Sequence, residues 1–195
     1  MVKPRVIDKS ELFRDLDYWL SVLKKAIFVY PSDLMYRLGC NALDKELISR
    51  VRVLKQSSTQ PFTVIAPSKH WIEQNFVITS IAKHWLEKLP GPYTLVLKKK
   101  QHSRLAVNLN PGNDVVHVRI PNHWFSSIVE KLGVPIVATS PNIAAGDLLL
   151  SINHLDEDLK QSIDLIISDT VLNGLDKGLD QARVLKTIDL TQVQV

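Results

Sequence analysis

The sequence predicts an α/β fold, a single domain spanning 1–195 with a twisted sheet of mixed parallel and antiparallel strands flanked by helices. Three observations carry this reading. Short β-branched or apolar runs at 26–30, 61–66, 93–97, 115–119, 134–139 and 165–168 are bounded by proline, glycine or small polar residues. Between them lie segments whose apolar residues recur every three or four positions. No internal repeat and no linker-like stretch interrupts the alternation over 195 residues, a length that one core accommodates.

The elements follow in order. Ser10 is placed to cap a helix with Leu12, Leu16, Trp19, Leu20 and Leu23 along one stripe, closed by Lys24 and Lys25. The strand Ala26–Tyr30 comes next and is stopped by Pro31. A polar turn leads to a helix over Asp44–Lys55, with Leu47, Ile48, Val51 and Leu54 on one side and Lys45, Arg50 and Arg52 off it. Gln56–Gln60 reads as a loop and Pro61–Ala66 as a buried strand. Ser68 and Ser80 are placed to cap two helices, the second carrying Ile81, Trp85, Leu86 and Leu89 inward. Pro90-Gly91-Pro92 stops it before the strand Tyr93–Leu97. A loop over 101–114, a strand Val115–Arg119, a helix over 122–132 and a strand Val134–Thr139 follow. The remainder reads as a helix near Leu155–Gln161, a strand Leu165–Ser168, a Gly/Asp-rich loop over Asn173–Gln181 and an edge strand Thr187–Leu190.

Composition narrows the class. With 45% hydrophobic and 23% charged residues, the chain has the make-up of a soluble globular protein. It has no apolar run of the ~18–20 residues a membrane span needs, and no apolar stretch of signal-peptide length near Met1, so the expected compartment is the cytoplasm. The net charge of +4 is a mild excess, and Lys98-Lys99-Lys100 reads as a solvated strand end rather than a nucleic-acid surface. A single cysteine, Cys40, excludes an internal disulfide framework and reads as a small buried filler. His117 and His123 read as core-edge and surface residues, while His70, His84, His102 and His154 are scattered, so no metal site is expected. Trp19, Trp71, Trp85 and Trp124 sit at helical core spacing and read as packing.

The stretch Phe28–Cys40 organises the rest. A buried strand ending in Pro31-Ser32-Asp33 and re-entering through Leu38-Gly39-Cys40 brings backbone N–H groups and a carboxylate to one end of a sheet, where α/β folds bind ligands. This stretch resembles the first signature of the YrdC-like threonylcarbamoyl-AMP synthase family, Tyr-Pro-Thr-Asp-Thr-x-Tyr-Gly-Leu-Gly-Cys. Further matches recur in order: a helix ending in Lys55, Pro61-Phe62 opening a strand, Pro90-Gly91-Pro92-Tyr93-Thr94, Val118-Arg119-Ile120-Pro121, Thr139-Ser140-Pro141-Asn142 and Ile188-Asp189-Leu190.

The resemblance implies a YrdC-like fold and an enzyme of nucleotidyltransferase type. Its reaction joins L-threonine, bicarbonate and ATP, with Mg2+, into threonylcarbamoyl-AMP and pyrophosphate for the t6A modification of tRNA. Arg119 would take the threonine carboxylate as a bidentate partner, with Ser32 and Tyr36 beside the amino acid. Lys55 would hold phosphates, and Ser140 and Asn142 the adenylate. Implied partners are tRNA or double-stranded RNA and the transferase machinery of the modification.

Departures fall mainly on the phosphate side. The family pattern Lys-x-Arg-x-x-Lys-Pro reads here Lys55-Gln56-Ser57-Ser58-Thr59-Gln60-Pro61, so two of three cations are absent. A charge ~4 Å from a phosphate oxygen is worth on the order of 4 kcal/mol before desolvation. Leu34 replaces a threonine, Arg37 a glycine, Pro141 a small residue, and Val184-Leu185-Lys186 a Pro-Ser-Thr turn. The residues therefore leave a second reading open, a YrdC-like nucleotide- or RNA-binding protein with impaired catalysis. A third, carbamoyl transfer as in hydrogenase-maturation carbamoyltransferases, lacks the accompanying zinc-finger and acylphosphatase-like modules. Asp33 as a brace of its turn, and Arg119 as a structural ion-pair partner, are the plain alternatives to ligand roles.

Overall fold

The computed structural model describes residues 3–57, 59–141, 149–170 and 185–191. Its strands are β1 (Arg5–Ile7), β2 (Phe28–Pro31), β3 (Tyr36–Gly39), β4 (Thr63–Ile65), β5 (Tyr93–Lys98), β6 (Val115–Arg119), β7 (Ile136–Ala138), β8 (Leu165–Ile167) and β9 (Lys186–Asp189). The helices are α1 (Lys9–Arg14), α2 (Leu16–Leu23), α3 (Lys45–Leu54), α4 (Lys69–Asn75), α5 (Ser80–Glu87), α6 (Phe125–Leu132) and α7 (Glu157–Ser162). The expected mixed sheet is present as two sheets, ordered β1-β8-β2-β3 and β7-β4-β6-β5-β9, each combining parallel and antiparallel pairs. Their edges meet where Leu38 bridges Thr139 and Asn41 bridges Ile136.

Both faces of the central strands are packed, which is why β2 reads as an unbroken apolar run rather than an alternation. Ile27 and Val29 join Tyr36, Leu38, Val64, Val118 and Val137 under α3, whose Leu47, Ile48 and Val51 face inward. Phe28 and Tyr30 turn the other way, toward Trp19 and Leu23 of α2 and Phe125, Ile128 and Val129 of α6. Gly39 is required where β3 crosses between Tyr30 and β7. A Cβ there would sit 2.6 Å from Tyr30 Cε1 and 2.6 Å from the Val137 carbonyl oxygen.

Several boundaries differ from expectation. The first helix is two helices, interrupted at Asp15, and its cap is Asp8 rather than Ser10, with the Asp8 carboxylate accepting from the Glu11 N–H at 2.8 Å. Thr79, not Ser80, caps α5. The stretch after Pro31 contains β3, hairpinned antiparallel to β2 through a Ser32–Met35 turn, where only a turn was expected. β1 is a further unforeseen strand, held parallel to β8. The expected loop over 173–181 lies outside the described residues. Among those described, no helix is long and apolar enough to cross a membrane.

Candidate functional site

Strand register places the site. Thr63 lies opposite both His117 and Ala138, Ile65 opposite Arg119, and Val96 opposite both His117 and Asp189. Register partners share a face, and alternate residues of a strand return to it. Thr63, Thr94, His117 and Arg119 therefore stand on one side of the five-stranded sheet, opposite the large core. There, Thr63, Ile65, Thr94, Arg119 and Ala138 line a recess of about 40 Å³, closed by Ser32 and Arg37 from the β2–β3 hairpin and by Leu185.

Arg119 is 2% exposed and forms an ion pair with Asp33. The structural pairing considered from sequence is thus present, and it braces the turn after Pro31 against the end of β6. It does not exhaust either group. Arg119 Nε and Asp33 Oδ1 are buried without a hydrogen-bond partner among the described residues. Ser32 is 2% exposed, and its N–H and hydroxyl both donate to the Met35 carbonyl, at 3.0 and 2.9 Å. That fixes the hydroxyl with its lone pairs still able to accept.

Tyr36 lies behind the recess rather than in its wall. It is fully buried, and its hydroxyl accepts from the Asp169 N–H at 2.7 Å while donating to the Asp169 carbonyl at 3.1 Å. The Asp169 carboxylate in turn accepts from Trp124 Nε1 at 2.5 Å and lies 3.5 Å from His123 Nε2. Burial holds the His123 imidazole below its ordinary range, against the opposing pull of Asp169 and Asp33. His123 is thus part of a polar cluster beside the site, not a surface residue. Sequence spacing did not reveal Asp169, because its partners come from β3 and α6, far away in the chain.

The second cluster stands at the start of β4. Lys55 follows α3, is 8% exposed, and its ammonium donates to Ser140 Oγ at 3.2 Å. Burial holds this ammonium below the ordinary lysine range. Ser140 follows β7 by two residues, and β7 ends at Ala138 in the wall of the arginine recess. Lys55 and Ser140 thus lie beyond the Thr63 end of β4, while Arg119 stands opposite Ile65 at its other end, with Thr63 and Ala138 of the recess wall between them in register. Asn142 lies outside the described residues.

Arg52, expected off the buried face of α3, is the cation that organises the loop after Lys55. Its guanidinium donates to the carbonyls of Asn108 (2.9 Å), Leu109 (2.7 Å), Gln60 (3.1 Å) and Ser57 (3.3 Å), and lies over the Phe62 ring. Helical periodicity alone could not show this, because two of the carbonyls, Asn108 and Leu109, come from a loop some fifty residues away. Elsewhere, Cys40 is a buried filler as expected, and Lys98 pairs with Asp114 at 3.3 Å on an exposed strand end.

Residues 21–177 match the model of the Sua5/YciO/YrdC family, described as "Telomere recombination". The chain is similar to a threonylcarbamoyl-AMP synthase of Bos taurus, 30% identical over 144 residues that make up 73% of this chain and 51% of the bovine protein. It is also similar to a putative threonylcarbamoyl-AMP synthase of Methanocaldococcus jannaschii, 28% identical over 75% of this chain and 69% of that protein. The chain thus spans about half the length of the bovine relative. Among solved structures, P. abyssi Sua5 complexed with L-threonine superposes with a TM-score of 0.73 at 26% identity, covering 84% of this chain and 50% of that one. E. coli YciO superposes with a TM-score of 0.72 at 22% identity, covering 98% of this chain and 91% of that one, a likeness of fold.

Proposed function

This chain belongs to the Sua5/YciO/YrdC family, and from that premise we propose that it condenses L-threonine, bicarbonate and ATP into threonylcarbamoyl-AMP. Relatives named threonylcarbamoyl-AMP synthase, and the Sua5 structure complexed with L-threonine, support the substrate class. The observation that carries the reading is a buried guanidinium, Arg119, in a recess whose wall includes Ala138, two residues before the Ser140 hydroxyl that accepts from the buried ammonium of Lys55. The two cations suit a carboxylate and a phosphate respectively.

In this reading Arg119 binds the threonine carboxylate and the open oxygen of Asp33 receives its ammonium. Ser32 accepts from a donor of the amino acid, and Tyr36 holds the hairpin in place from behind. Lys55 and Ser140 face the nucleotide. Threonine's amine, once deprotonated, attacks the bicarbonate carbon, the bicarbonate hydroxyl leaves as water with a proton from the amine, and the resulting carbamate oxygen attacks the α-phosphorus with loss of pyrophosphate. The protein supplies no nucleophile; it aligns reactants and places positive charge where negative charge shifts. Among the described residues no group of three His, Cys, Asp or Glu could hold a metal. Mg2+ would arrive with the triphosphate and offset part of its negative charge beside Lys55. The product would serve tRNA modification in the cytoplasm, through a transferase acting on the RNA.

A second reading, nucleotide binding with weakened turnover, is favoured by the loop after Lys55. Ser57 and Gln60 stand where the family pattern carries cations, and their carbonyls are drawn onto Arg52. Pyrophosphate release in the presence of L-threonine, bicarbonate and Mg-ATP tests both. Release that requires all three substrates, and rises at least ~tenfold in Ser57→Arg/Gln60→Lys, is expected of a synthase with a depleted phosphate site. No release in the parent, with release appearing in the double variant, assigns the parent to the binding class.

A further inference from the structure

Arg37 introduces a second guanidinium into the recess beside Arg119. Where the family pattern carries glycine, β3 here places this arginine opposite Tyr30, on the side of the strand that faces away from the large core. Arg119 is engaged by Asp33, whereas the Arg37 guanidinium, on a backbone paired with Tyr30, has no hydrogen bond or ion pair among the described residues. One carboxylate thus faces two guanidinium groups in a half-enclosed space. Burial already pulls Arg37 below the ordinary arginine range, and Arg119 adds to that pull. A second observation points to a ligand: Arg119, 2% exposed, keeps Nε without a hydrogen-bond partner among the described residues.

The recess also limits what enters. Its volume of about 40 Å³ exceeds the ~10–15 Å³ that one water needs, and it suits a single compact group of a few heavy atoms. The hydroxyl-bearing Thr63 and Thr94 stand in the same wall as the two cations. We propose that this recess is an oxyanion site in which Arg37, together with Arg119, selects a carboxylate or phosphate group carried by a small molecule of net negative charge. The inference rests on the reading of this recess as a substrate site, and it makes Arg37 the residue that shifts preference from a zwitterion toward an anion. Threonine, with no net charge, gains less from the second guanidinium than aspartate or inorganic phosphate does.

Isothermal titration of the full chain at fixed ionic strength, with L-threonine, L-aspartate and inorganic phosphate as separate probes, tests this. Arg37→Gly is expected to weaken aspartate or phosphate at least ~tenfold while changing threonine by less than ~threefold. Selective loss for aspartate identifies a carboxylate site, and selective loss for phosphate a phosphate site. Equal affinities in parent and variant, or no binding of either anion by the parent, overturns the proposal. If Arg37→Gly melts at a lower temperature than the parent, Arg37→Gln and Arg37→Lys replace it, with lysine expected to retain anion binding and glutamine to lose it. Pyrophosphate release separates the two readings. Arg37-dependent anion binding without threonine-dependent release leaves this site standing and removes the synthase reading. Release combined with Arg37-independent anion binding does the reverse.

Discussion

Asp33 and Arg119 face each other with side chains 13% and 3% exposed, so the cost of separating them is little screened by water. Removing one partner leaves a buried charge uncompensated, which costs about 3–5 kcal/mol. Asp33→Ala should therefore lower the unfolding free energy in urea by about that amount, and Asp33→Leu/Arg119→Met by much less. A loss below ~1 kcal/mol in the single variant would mean the pair behaves as a surface bridge. His123 gives a pH signature. Its folded-state pKa lies below the unfolded value, so the unfolded chain binds more protons in that interval. The stability that His123 contributes is whole above an unfolded pKa of about 6.5, and is lost as pH falls through it toward the folded value. Urea midpoints taken at pH 7.5 and pH 5.5 should fall less in His123→Gln than in the parent. Residue chemistry of this kind was only partly legible beforehand. Arg119, Ser32 and Lys55 stand in recognisable motifs, whereas Asp169 becomes a partner of His123 only after two distant segments meet.

At the scale of elements, the loop after α3 depends on one side chain. Arg52 spans from the helix to the carbonyls of Ser57, Gln60, Asn108 and Leu109, and each buried acceptor left bare costs of the order of 1–3 kcal/mol. Arg52→Met, which keeps the packing over Phe62 and removes the donors, should speed amide hydrogen exchange at 56–60 and lower stability by about 2–3 kcal/mol. Unchanged exchange in that loop would show that its conformation does not depend on Arg52. Element types were largely readable. The helical stripe of α3, the Ser68 cap of α4 and the span of β6 stand as expected. β3 escaped notice because Tyr36-Arg37-Leu38-Gly39 lacks a long apolar run, and its pairing is fixed by the turn at Ser32–Met35. The first helix divides at Asp15, although its apolar stripe continues across the break.

At the scale of the molecule, two mixed sheets share an edge contact, and α2 and α6 cover one part of the face that carries the site. That cover does not extend across β5 and β9, where Thr187 and Asp189 are exposed. This division follows from polar residues alternating into β5, β6 and β9, a pattern visible in sequence, but only the register shows which of them converge. The α/β class was accordingly readable from periodicity, while the split into two sheets shows only in the register, where the β3 and β7 edges meet through isolated bridges rather than a ladder. On this reading the arginine recess and the Lys55–Ser140 pair are two halves of one site for an amino acid and a nucleotide. Calorimetric binding of L-threonine and of a non-hydrolysable ATP analogue to the parent, Arg119→Gln and Lys55→Met tests this at the site itself. Each variant should lose at least ~tenfold for its own ligand and retain the other. Parent-like binding of both ligands by both variants would contradict it.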